Sequence, residues 1–262
     1  MDPLHLESRL AVVTGAGSGI GRAIALEAAR RGMTVALADI DEAGAAATLA
    51  SVVALGGKGL AHLVDVRDAG QLRVFADMSV ERFGIPATVF ANAGILKYAS
   101  TLRPDLASWR RAVDVNLMGA INTVDAFLGR MIDSDMSGQF VLTGSMGSFV
   151  AAPELASYVA TKHGVWALAQ CLRMELGDES KIAISLLAPP RVDTPLLSES
   201  IARTRSARGD EAASALRGSA MTAAEIATCA LDGARDRHFY IAPQTDDVAS
   251  LIRERIGELL GD

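Results

Sequence analysis

Short apolar runs alternate with longer amphipathic stretches along most of the chain. The short runs are rich in Val, Ile and Leu, which is typical of strands that are buried on both faces. The longer stretches repeat apolar residues every three or four positions, the spacing of a helix with one buried face. Glycines end several of them, as at Gly32 and Gly84. The alternation predicts a parallel sheet covered by helices on both faces.

The boundaries of the individual elements follow from the same pattern. We expect strands at 10–14, 34–39, 59–64, 87–91, 139–143, 182–187 and 238–242. We expect helices at 19–32, 42–55, 68–83, 105–132, 156–177 and 222–235. Thr222 followed by Glu225 three positions later is a capping box, which strengthens the predicted start of the last of these helices.

Two segments near the end of the sequence depart from this rhythm. Residues 195–221 are rich in Ser, Ala and Arg and lack a clear apolar period. Long loops inside a compact domain are often lids, so we expect a substrate lid there. Residues 245–260 predict an amphipathic helix, which either closes the fold or contacts another subunit. Its apolar stripe consists of Val248, Ile252, Ile256 and Leu259.

Composition narrows the class of protein. Half of the 262 residues are hydrophobic, and no repeat or linker divides them, so we expect a single domain over 1–262. A formal net charge of −6 without a long basic block argues against nucleic-acid binding. The two cysteines are far apart and predict neither a disulfide framework nor a metal site.

The sequence also indicates the cellular compartment in which the protein is expected. No signal peptide is visible, and no apolar stretch reaches the ~18–20 residues of a membrane helix. We therefore expect a soluble cytoplasmic protein with no membrane partner.

A glycine-rich run, T-G-A-G-S-G-I-G, spans 14–21 between the first predicted strand and the first predicted helix. Glycines let the chain turn tightly and let a pyrophosphate approach the helix N-terminus, where free N–H groups favour anions. The glycines follow G-x-x-x-G-x-G, through Gly15, Gly19 and Gly21, rather than G-x-G-x-x-G. The run predicts a dinucleotide site, although such a loop by itself can be a simple turn.

Asp39 ends the second predicted strand, eighteen residues after Gly21. A carboxylate at this place can accept hydrogen bonds from a ribose diol. It would repel a 2′-phosphate, by ~1 kcal/mol in water and ~4 kcal/mol at an effective dielectric constant of 20 for unit charges about 4 Å apart. Asp39 therefore favours NAD over NADP. The alternative is that Asp39 only caps the next helix, a task that Asp41 can also perform.

Tyr158 and Lys162 lie in the run Y-V-A-T-K, thirteen residues after Ser145. Positions i and i+4 of a helix share one face, so an ammonium group lies beside a phenol. A phenol has a pKa of about 10, and a nearby cation can lower it by roughly 1–3 units. A tyrosine activated in this way can act as a general acid/base for a hydroxyl or a ketone. Taken alone, such a pair is more often part of a solvated helix face.

In combination these motifs resemble the classical short-chain dehydrogenase/reductase family. The glycine run, A-N-A-G at 91–94, Asn116, Ser145 and Tyr158-x-x-x-Lys162 follow in the family's order over about 8–195. The resemblance implies a Rossmann-like, doubly wound parallel sheet of seven strands in a three-layer sandwich. It also implies a nicotinamide cofactor, hydride exchange at a carbinol or carbonyl carbon, and a homodimer or homotetramer.

The resemblance assigns a catalytic role to four residues. Tyr158 would be the acid/base, and Lys162 would lower its pKa and bind the nicotinamide ribose. Ser145 would hydrogen-bond the substrate oxygen, and Asn116 would hold a water that links Lys162 to solvent. Each of Ser145 and Asn116, taken singly, is more often a turn or cap residue.

The resemblance also assigns cofactor contacts. Asp65 and Val66 would flank the adenine, and the residues after the fourth strand would line the cofactor cleft. The complete expected set is Gly15, Ser18, Gly19, Ile20, Gly21, Asp39, Asp65, Val66, Asn92, Ala93, Gly94, Tyr158, Lys162, Val192 and Thr194. The chain departs from the family at Pro189-Pro190, where P-G is common, and this puts the shape of the nicotinamide loop in doubt.

The expected substrate is a lipophilic secondary alcohol or ketone, because the residues predicted around the pocket are mostly apolar. They are Leu96, Tyr98, Met146, Phe149, Val150, Ala151, Pro153, Leu196 and Leu197. The arginines at 191, 203, 205 and 208 offer an alternative, an anionic substrate gripped by the lid. Three functions stay open: an NAD-dependent dehydrogenase, an NADPH-dependent carbonyl reductase, and a non-catalytic NAD-binding regulatory protein.

Overall fold

A computed structural model of the protein describes residues 3–198, 202, 220–243, 249–250, 252–254 and 256–257. Six strands of ordinary length and three short ones lie within these ranges. They are β1 (Leu10–Thr14), β2 (Thr34–Asp39), β3 (Lys58–Leu63), β4 (Pro86–Ala91), β5 (Gly138–Thr143), β6 (Ile182–Leu187), β7 (Val192–Asp193), β8 (Met221–Thr222) and β9 (Tyr240–Ile241). Seven of them form one parallel sheet in the order β3-β2-β1-β4-β5-β6-β9, and β7 pairs with β8 beside it.

Helices connect the strands of the main sheet. They are α1 (Gly19–Arg30), α2 (Glu42–Ala54), α3 (Ala69–Phe83), α4 (Leu106–Ala112), α5 (Gly119–Asp133), α6 (Ala156–Leu176) and α7 (Ala223–Arg235). A π-helical segment, Val113–Met118, joins α4 to α5, and a single 3₁₀ turn, Met146–Ser148, follows β5.

The core lies on both faces of the sheet, because the strands are apolar on both sides. Leu10 and Val12 of β1 belong to one buried cluster, which α3, α5 and α6 complete. Ala11 and Val13 belong to the other, which α1, α2 and α7 complete. Alternate residues of one strand thus enter opposite layers. This confirms the predicted α/β fold, a doubly wound parallel sheet in a three-layer sandwich.

The strand order places a crevice at one edge of the sheet. β1 lies between β2 and β4, so the sheet extends from β1 to one side through β2 and β3 and to the other side through β4, β5, β6 and β9. The carboxyl ends of β1 and β4 meet at this point, which is where open α/β sheets bind ligands.

Two predicted elements differ from the structure. The helix expected over 105–132 is divided into α4, the π-helical segment and α5, because a wider turn inserts one extra residue. The strand expected over 238–242 is reduced to the two residues of β9. None of the described helices is long and apolar enough to cross a membrane.

The lid and the terminal helix fall largely outside the described residues. Residues 199–201 and 203–219 of the expected lid lie there, while 195–198 are helical and 221–222 form β8. Val248 and Leu259 of the expected stripe also lie outside, and the described residues between 249 and 257 are helical. A lid at this place stays a prediction.

Candidate active site

A cavity of about 720 Å³ opens at the carboxyl end of the sheet, beside the crevice between β1 and β4. The cavity brings together residues that are far apart in sequence, from Gly15 to Thr194. All the predicted cofactor and catalytic residues line it except Asn116, which is buried behind its wall. Parallel strands deliver their carboxyl ends to one edge, so this convergence follows from the topology.

The glycine loop after β1 packs against the end of β4 with no space for side chains. A Cβ on Gly21 would lie 2.1 Å from the Gly15 carbonyl oxygen, and a Cβ on Gly15 would lie 2.8 Å from Ala93 Cα. Gly15 also has φ +66°, a conformation that residues with side chains rarely adopt. The Asn92 side chain donates to the Thr14 carbonyl at 3.0 Å and joins the loop to β4.

Asp39 holds the same loop from the β2 side. One carboxylate oxygen accepts the Gly17 N–H at 2.7 Å, and the other accepts the Asp41 N–H at 2.8 Å. Asp41, not Asp39, is the N-cap residue of α2. Asp39 thus fixes both the glycine loop and the start of α2, and its role as a ribose ligand stays a prediction. Since a carboxylate has about four lone-pair sites, acceptor capacity remains for a ligand in the cavity.

The end of β3 carries an ion pair that the sequence did not reveal. Arg67 donates to both carboxylate oxygens of Asp65, with Nε at 2.9 Å from each. The hydrogen bond from Arg67 holds the pKa of Asp65 below its usual range. Arg67 and Arg111 both line the cavity. No spacing rule connects these arginines to the dinucleotide motif, so sequence reasoning missed them.

Ser145 and Tyr158 meet on the other side of the cavity. Ser145 has an extended backbone and is the N-cap residue of the 3₁₀ turn. Its Oγ accepts the Gly147 N–H at 3.1 Å. Both side chains flank Gly147, since a Cβ there would lie 3.3 Å from the Tyr158 ring and 3.6 Å from Ser145 Oγ. Burial raises the pKa of Tyr158, and the Ser145 hydroxyl offsets this in part. The expected lowering of this pKa by Lys162 is therefore not what the protein alone shows, because burial dominates.

Lys162 lies beneath Tyr158 on α6 and is only 4% exposed. Its Nζ donates to the Thr143 carbonyl at 2.7 Å and lies 5.7 Å from the centre of the Tyr158 ring. Burial lowers the pKa of Lys162 to about 8. The two side chains thus share one helix face, as the i,i+4 spacing predicts.

Asn116 lies in the π-helical segment and is 2% exposed. Its Oδ1 accepts the Ile95 N–H at 2.7 Å, and its Nδ2 donates to the Ile95 carbonyl at 3.0 Å and to Thr161 Oγ1 at 3.1 Å. Thr161 Oγ1 in turn donates to the Tyr158 carbonyl at 2.7 Å. Asn116 therefore connects the loop after β4 to α6. Its role in holding a water stays a prediction.

The loop after β6 reaches the cavity despite its two prolines. The Pro189 carbonyl accepts the Met146 N–H at 3.1 Å, and Val192 pairs with Met221 in the small sheet. Both Val192 and Thr194 line the cavity. The Thr194 methyl group approaches the glycine loop, since a Cβ on Gly19 would lie 3.3 Å from it.

The substrate side of the cavity is mostly apolar, and seven of the nine residues expected there line it. Phe149 does not, because it packs edge-on against Trp166 with ring centres 5.5 Å apart. Ala151 is exposed away from the cavity. Arg191, which the sequence offered as a contact for an anionic substrate, also lines the cavity. Sequence reasoning missed several further lining residues, namely Ile95, Ala152, Leu155 and Val159.

A glycine loop at the switch point of a doubly wound sheet defines the class of dinucleotide-binding α/β proteins. A family model described as short chain dehydrogenase matches residues 9–205, and the chain belongs to this family.

Curated relatives are about one-third identical to this chain over the residues that align. A 1-deoxy-11-beta-hydroxypentalenate dehydrogenase of Streptomyces avermitilis is 31% identical over 99% of this chain and 91% of its own length. The cyclohexanol dehydrogenase of an Acinetobacter species is 33% identical over 73% of this chain and 76% of its own length. The "Probable oxidoreductase EphD" of Mycobacterium tuberculosis is 35% identical over 72% of this chain, but this chain spans only 32% of that protein.

Solved structures share the whole fold. A short chain dehydrogenase/reductase from Burkholderia phymatum in complex with NAD superposes with a TM-score of 0.90 at 28% identity, covering 98% of this chain and 96% of that one. Carveol dehydrogenase from Mycobacterium avium in complex with NAD gives 0.81 at 25% identity, covering 90% and 95%. These NAD complexes support the binding of a nicotinamide cofactor by this family member.

Proposed function

We propose that the protein is an NAD-dependent oxidoreductase that interconverts a secondary alcohol and a ketone, with Tyr158 as the acid/base. The observation that carries this proposal is that Ser145 and Tyr158 line one cavity beside the buried Lys162. This group lines the same cavity as the glycine loop and Asp39. A proton-transfer group and a dinucleotide cradle in one cavity are what hydride exchange at a carbinol carbon requires.

The residues present fit a dinucleotide. The glycine loop leaves its backbone open to the cavity, and the carboxylate of Asp39 faces the same space. Gly94 keeps the path to Lys162 open, since a Cβ there would lie 3.6 Å from Lys162 Nζ. We assign the pyrophosphate to the glycine loop, the adenosine ribose to Asp39 and the nicotinamide side to Val192 and Thr194. When bound, the nicotinamide supplies or accepts the hydride.

Tyr158 would handle the proton that accompanies the hydride. Burial raises its pKa, so the phenol is protonated at neutral pH and can donate to a ketone oxygen. In the reverse direction the phenolate accepts the hydroxyl proton of the alcohol. Ser145 would hold the same substrate oxygen by a hydrogen bond and stabilise the charge that develops on it. Lys162, when charged, favours the phenolate that reduction leaves behind.

The preference for NAD rests on Asp39. Its carboxylate faces the cavity, and the next residue, Ile40, lines the cavity with an apolar side chain. The alternative, an NADPH-dependent reductase, has one observation in its favour: Arg67 and Arg111 line the cavity near Asp65. Arg67 is already paired with Asp65, so its charge is compensated.

The choice between NAD and NADP is tested by comparing kcat/KM for the two cofactors in the wild-type protein and in Asp39→Ala. We expect NAD to be preferred, and we expect the substitution to reduce that preference by about fivefold or more, since a repulsion of about 1–4 kcal/mol disappears. A wild-type preference for NADP would contradict the assignment of Asp39.

The proposed substrate class follows from the apolar lining. Met146, Val150 and Leu155 offer no hydrogen bond to a substrate skeleton, so the polar contacts concentrate at the reacting oxygen. Two relatives carry names that describe dehydrogenases of a cyclic alcohol and of a hydroxylated polycyclic acid. We therefore propose an alcohol or ketone on a lipophilic skeleton.

The experiment that tests the function is a panel of secondary alcohols and ketones with NAD(H), read at the nicotinamide absorbance. Tyr158→Phe keeps the ring and removes the hydroxyl, so we expect turnover to fall by at least ~10²–10³-fold while NAD still binds. Undiminished activity of this variant would exclude the proposed acid/base. A wild-type protein that binds NAD but turns over no member of the panel would instead support a regulatory role.

A further inference from the structure

The substrate side of the cavity is apolar except at two places. One is the Ser145–Tyr158 pair, where the reaction is proposed to occur. The other is formed by Tyr98, from the loop after β4, and Arg191, from the loop after β6. The proposed reaction uses neither of these two side chains, although both line the cavity.

The backbone of Arg191 is held from both sides. The preceding Pro189 carbonyl accepts the Met146 N–H at 3.1 Å, and the Arg191 carbonyl accepts the Met221 N–H at 2.9 Å. Pro190 fixes one backbone angle immediately before it. The fold therefore fixes the backbone from which the Arg191 side chain extends. Selective binding of a ligand requires such a fixed position.

Arg191, Tyr98 and Tyr158 all line this cavity. The charge of Arg191 acts on the Tyr98 phenol and counteracts the rise in its pKa that burial causes. Tyr98 in turn contributes to the raised pKa of Tyr158. One polar pair, Arg191 and Tyr98, thus shares the cavity with the proposed reacting group.

Glu154 is the one acidic side chain that also acts on Tyr98, and it does so against Arg191. The carbonyl of Glu154 accepts the Ala99 N–H at 2.9 Å, which fixes the Tyr98 loop to the segment before α6. A ligand anion at this place would have to compete with the Glu154 carboxylate. Removing the charge of Arg191 and removing the charge of Glu154 should therefore have opposite effects on the binding of an anion.

We propose that Arg191 and Tyr98 form a subsite for an anionic group, so that the enzyme takes an apolar secondary alcohol or ketone with a carboxylate remote from the reacting carbon. This inference rests on the proposed function. A guanidinium binds a carboxylate through two parallel hydrogen bonds, and a phenol hydroxyl can add a third. The apolar lining between the two polar ends would cover the skeleton of the substrate.

The test uses (ω−1)-hydroxy acids of increasing chain length together with their methyl esters, assayed with NAD. At the chain length that spans the cavity, we expect the acid to exceed its ester in kcat/KM by about tenfold, the effect of one hydrogen bond to a charged group. Arg191→Gln should remove this preference and leave the ester unaffected. Glu154→Gln should increase it, because the competing carboxylate is gone.

Arg103→Gln is the matched control, because Arg103 is exposed and does not line the cavity. It should leave the acid-to-ester ratio unchanged. Equal use of acid and ester at every chain length, or an equal loss of both in Arg191→Gln, would overturn the subsite. If the wild-type protein oxidises neither acid nor ester, or if Tyr158→Phe remains active on both, the proposed function fails instead.

Discussion

At the scale of single residues, the most unusual feature is a lysine buried beneath a tyrosine. Lys162 is 4% exposed, and its described partner is the Thr143 carbonyl, with no carboxylate beside it. An ammonium group in such surroundings has lost most of its hydration, and one hydrogen bond to a carbonyl returns only part of it. Burial consequently lowers the pKa of Lys162 to about 8. The charged form of Lys162 therefore lowers the stability of the folded protein.

Stability should therefore rise with pH in the alkaline range. The folded protein gives up the Lys162 proton at about pH 8, whereas the unfolded chain keeps it up to the ordinary value of 10.5. Between these values the unfolded state binds more protons, so the free energy of unfolding increases as pH rises. Across pH 8 to 10 we expect this group to contribute about 2 kcal/mol.

Lys162→Met isolates this contribution, because methionine keeps the length of the side chain and carries no charge. Urea unfolding without added nucleotide, from pH 7.5 to pH 10, measures the difference in unfolding free energy between the variant and the wild type. The variant should be more stable at the low end, and its advantage should shrink steadily as pH rises. Parallel pH profiles for the two proteins would show that Lys162 is not charged and buried at neutral pH.

At the scale of elements, the site depends on close contact between segments at positions where glycine has no side chain. The glycine loop, the end of β4 and the start of α1 touch through backbone atoms. The π-helical segment has a comparable role, since it turns Asn116 towards Ile95 and Thr161. Three elements are joined there by one amide, and the wider turn of a π-helix is frequent at such sites.

Gly21→Ala should disrupt the loop, since a Cβ at this position would lie 2.1 Å from the Gly15 carbonyl oxygen. The backbone must shift to relieve the overlap, at a cost of roughly 1–3 kcal/mol in stability, and we expect NAD to bind at least about tenfold more weakly. Calorimetric titration with NAD measures the affinity, and thermal unfolding measures the stability.

Gly129→Ala is the matched control for that substitution. Gly129 lies in α5, is exposed, and has nothing within 4 Å of the added Cβ. Alanine favours a helix interior over glycine by roughly 0.5–1 kcal/mol, so this variant should be slightly more stable and should bind NAD normally. If Gly21→Ala bound NAD as tightly as Gly129→Ala, the cradle would not be where we place it.

At the scale of the whole molecule, we propose that the chain folds as one domain and assembles into a homodimer or homotetramer. The exposed side of α6 carries Met174, which is 80% exposed, and Cys171, beside the charged Arg173 and Glu175. We take Met174 as the apolar centre of the proposed contact.

Light scattering should therefore give a mass of two or four times 27.4 kDa. Met174→Arg places a charge on the proposed contact and should shift the mass towards that of the monomer, because burying an unpaired charge is costly. Met78→Arg, on α3, changes a methionine that is 39% exposed outside the proposed contact and should leave the mass unchanged. A monomeric wild-type protein would contradict the assembly.

Local patterns predicted most of the fold, because hydrophobic period and glycine placement act over a few residues. β2 and β6 have the predicted boundaries, and the other long strands differ by one residue at most. The capping box of Thr222 and Glu225 is present as predicted. The division of the helix at Val113–Met118 was not predicted, and Asn116 within this segment contacts Ile95 and Thr161, which are far from it in sequence.

The sequence by itself determined the order of the elements, the dinucleotide loop and the residues that would carry the chemistry. Only the tertiary structure decided which groups surround those residues. It paired Asp65 with Arg67, moved Phe149 out of the cavity and brought Arg191 and Tyr98 into the lining of one cavity. It also set the pKa of Tyr158, which burial raises even though Lys162 lies one helical turn away. The physical reason is that burial and charge proximity depend on every segment packed around a group, whereas a motif contains only its own neighbours along the chain.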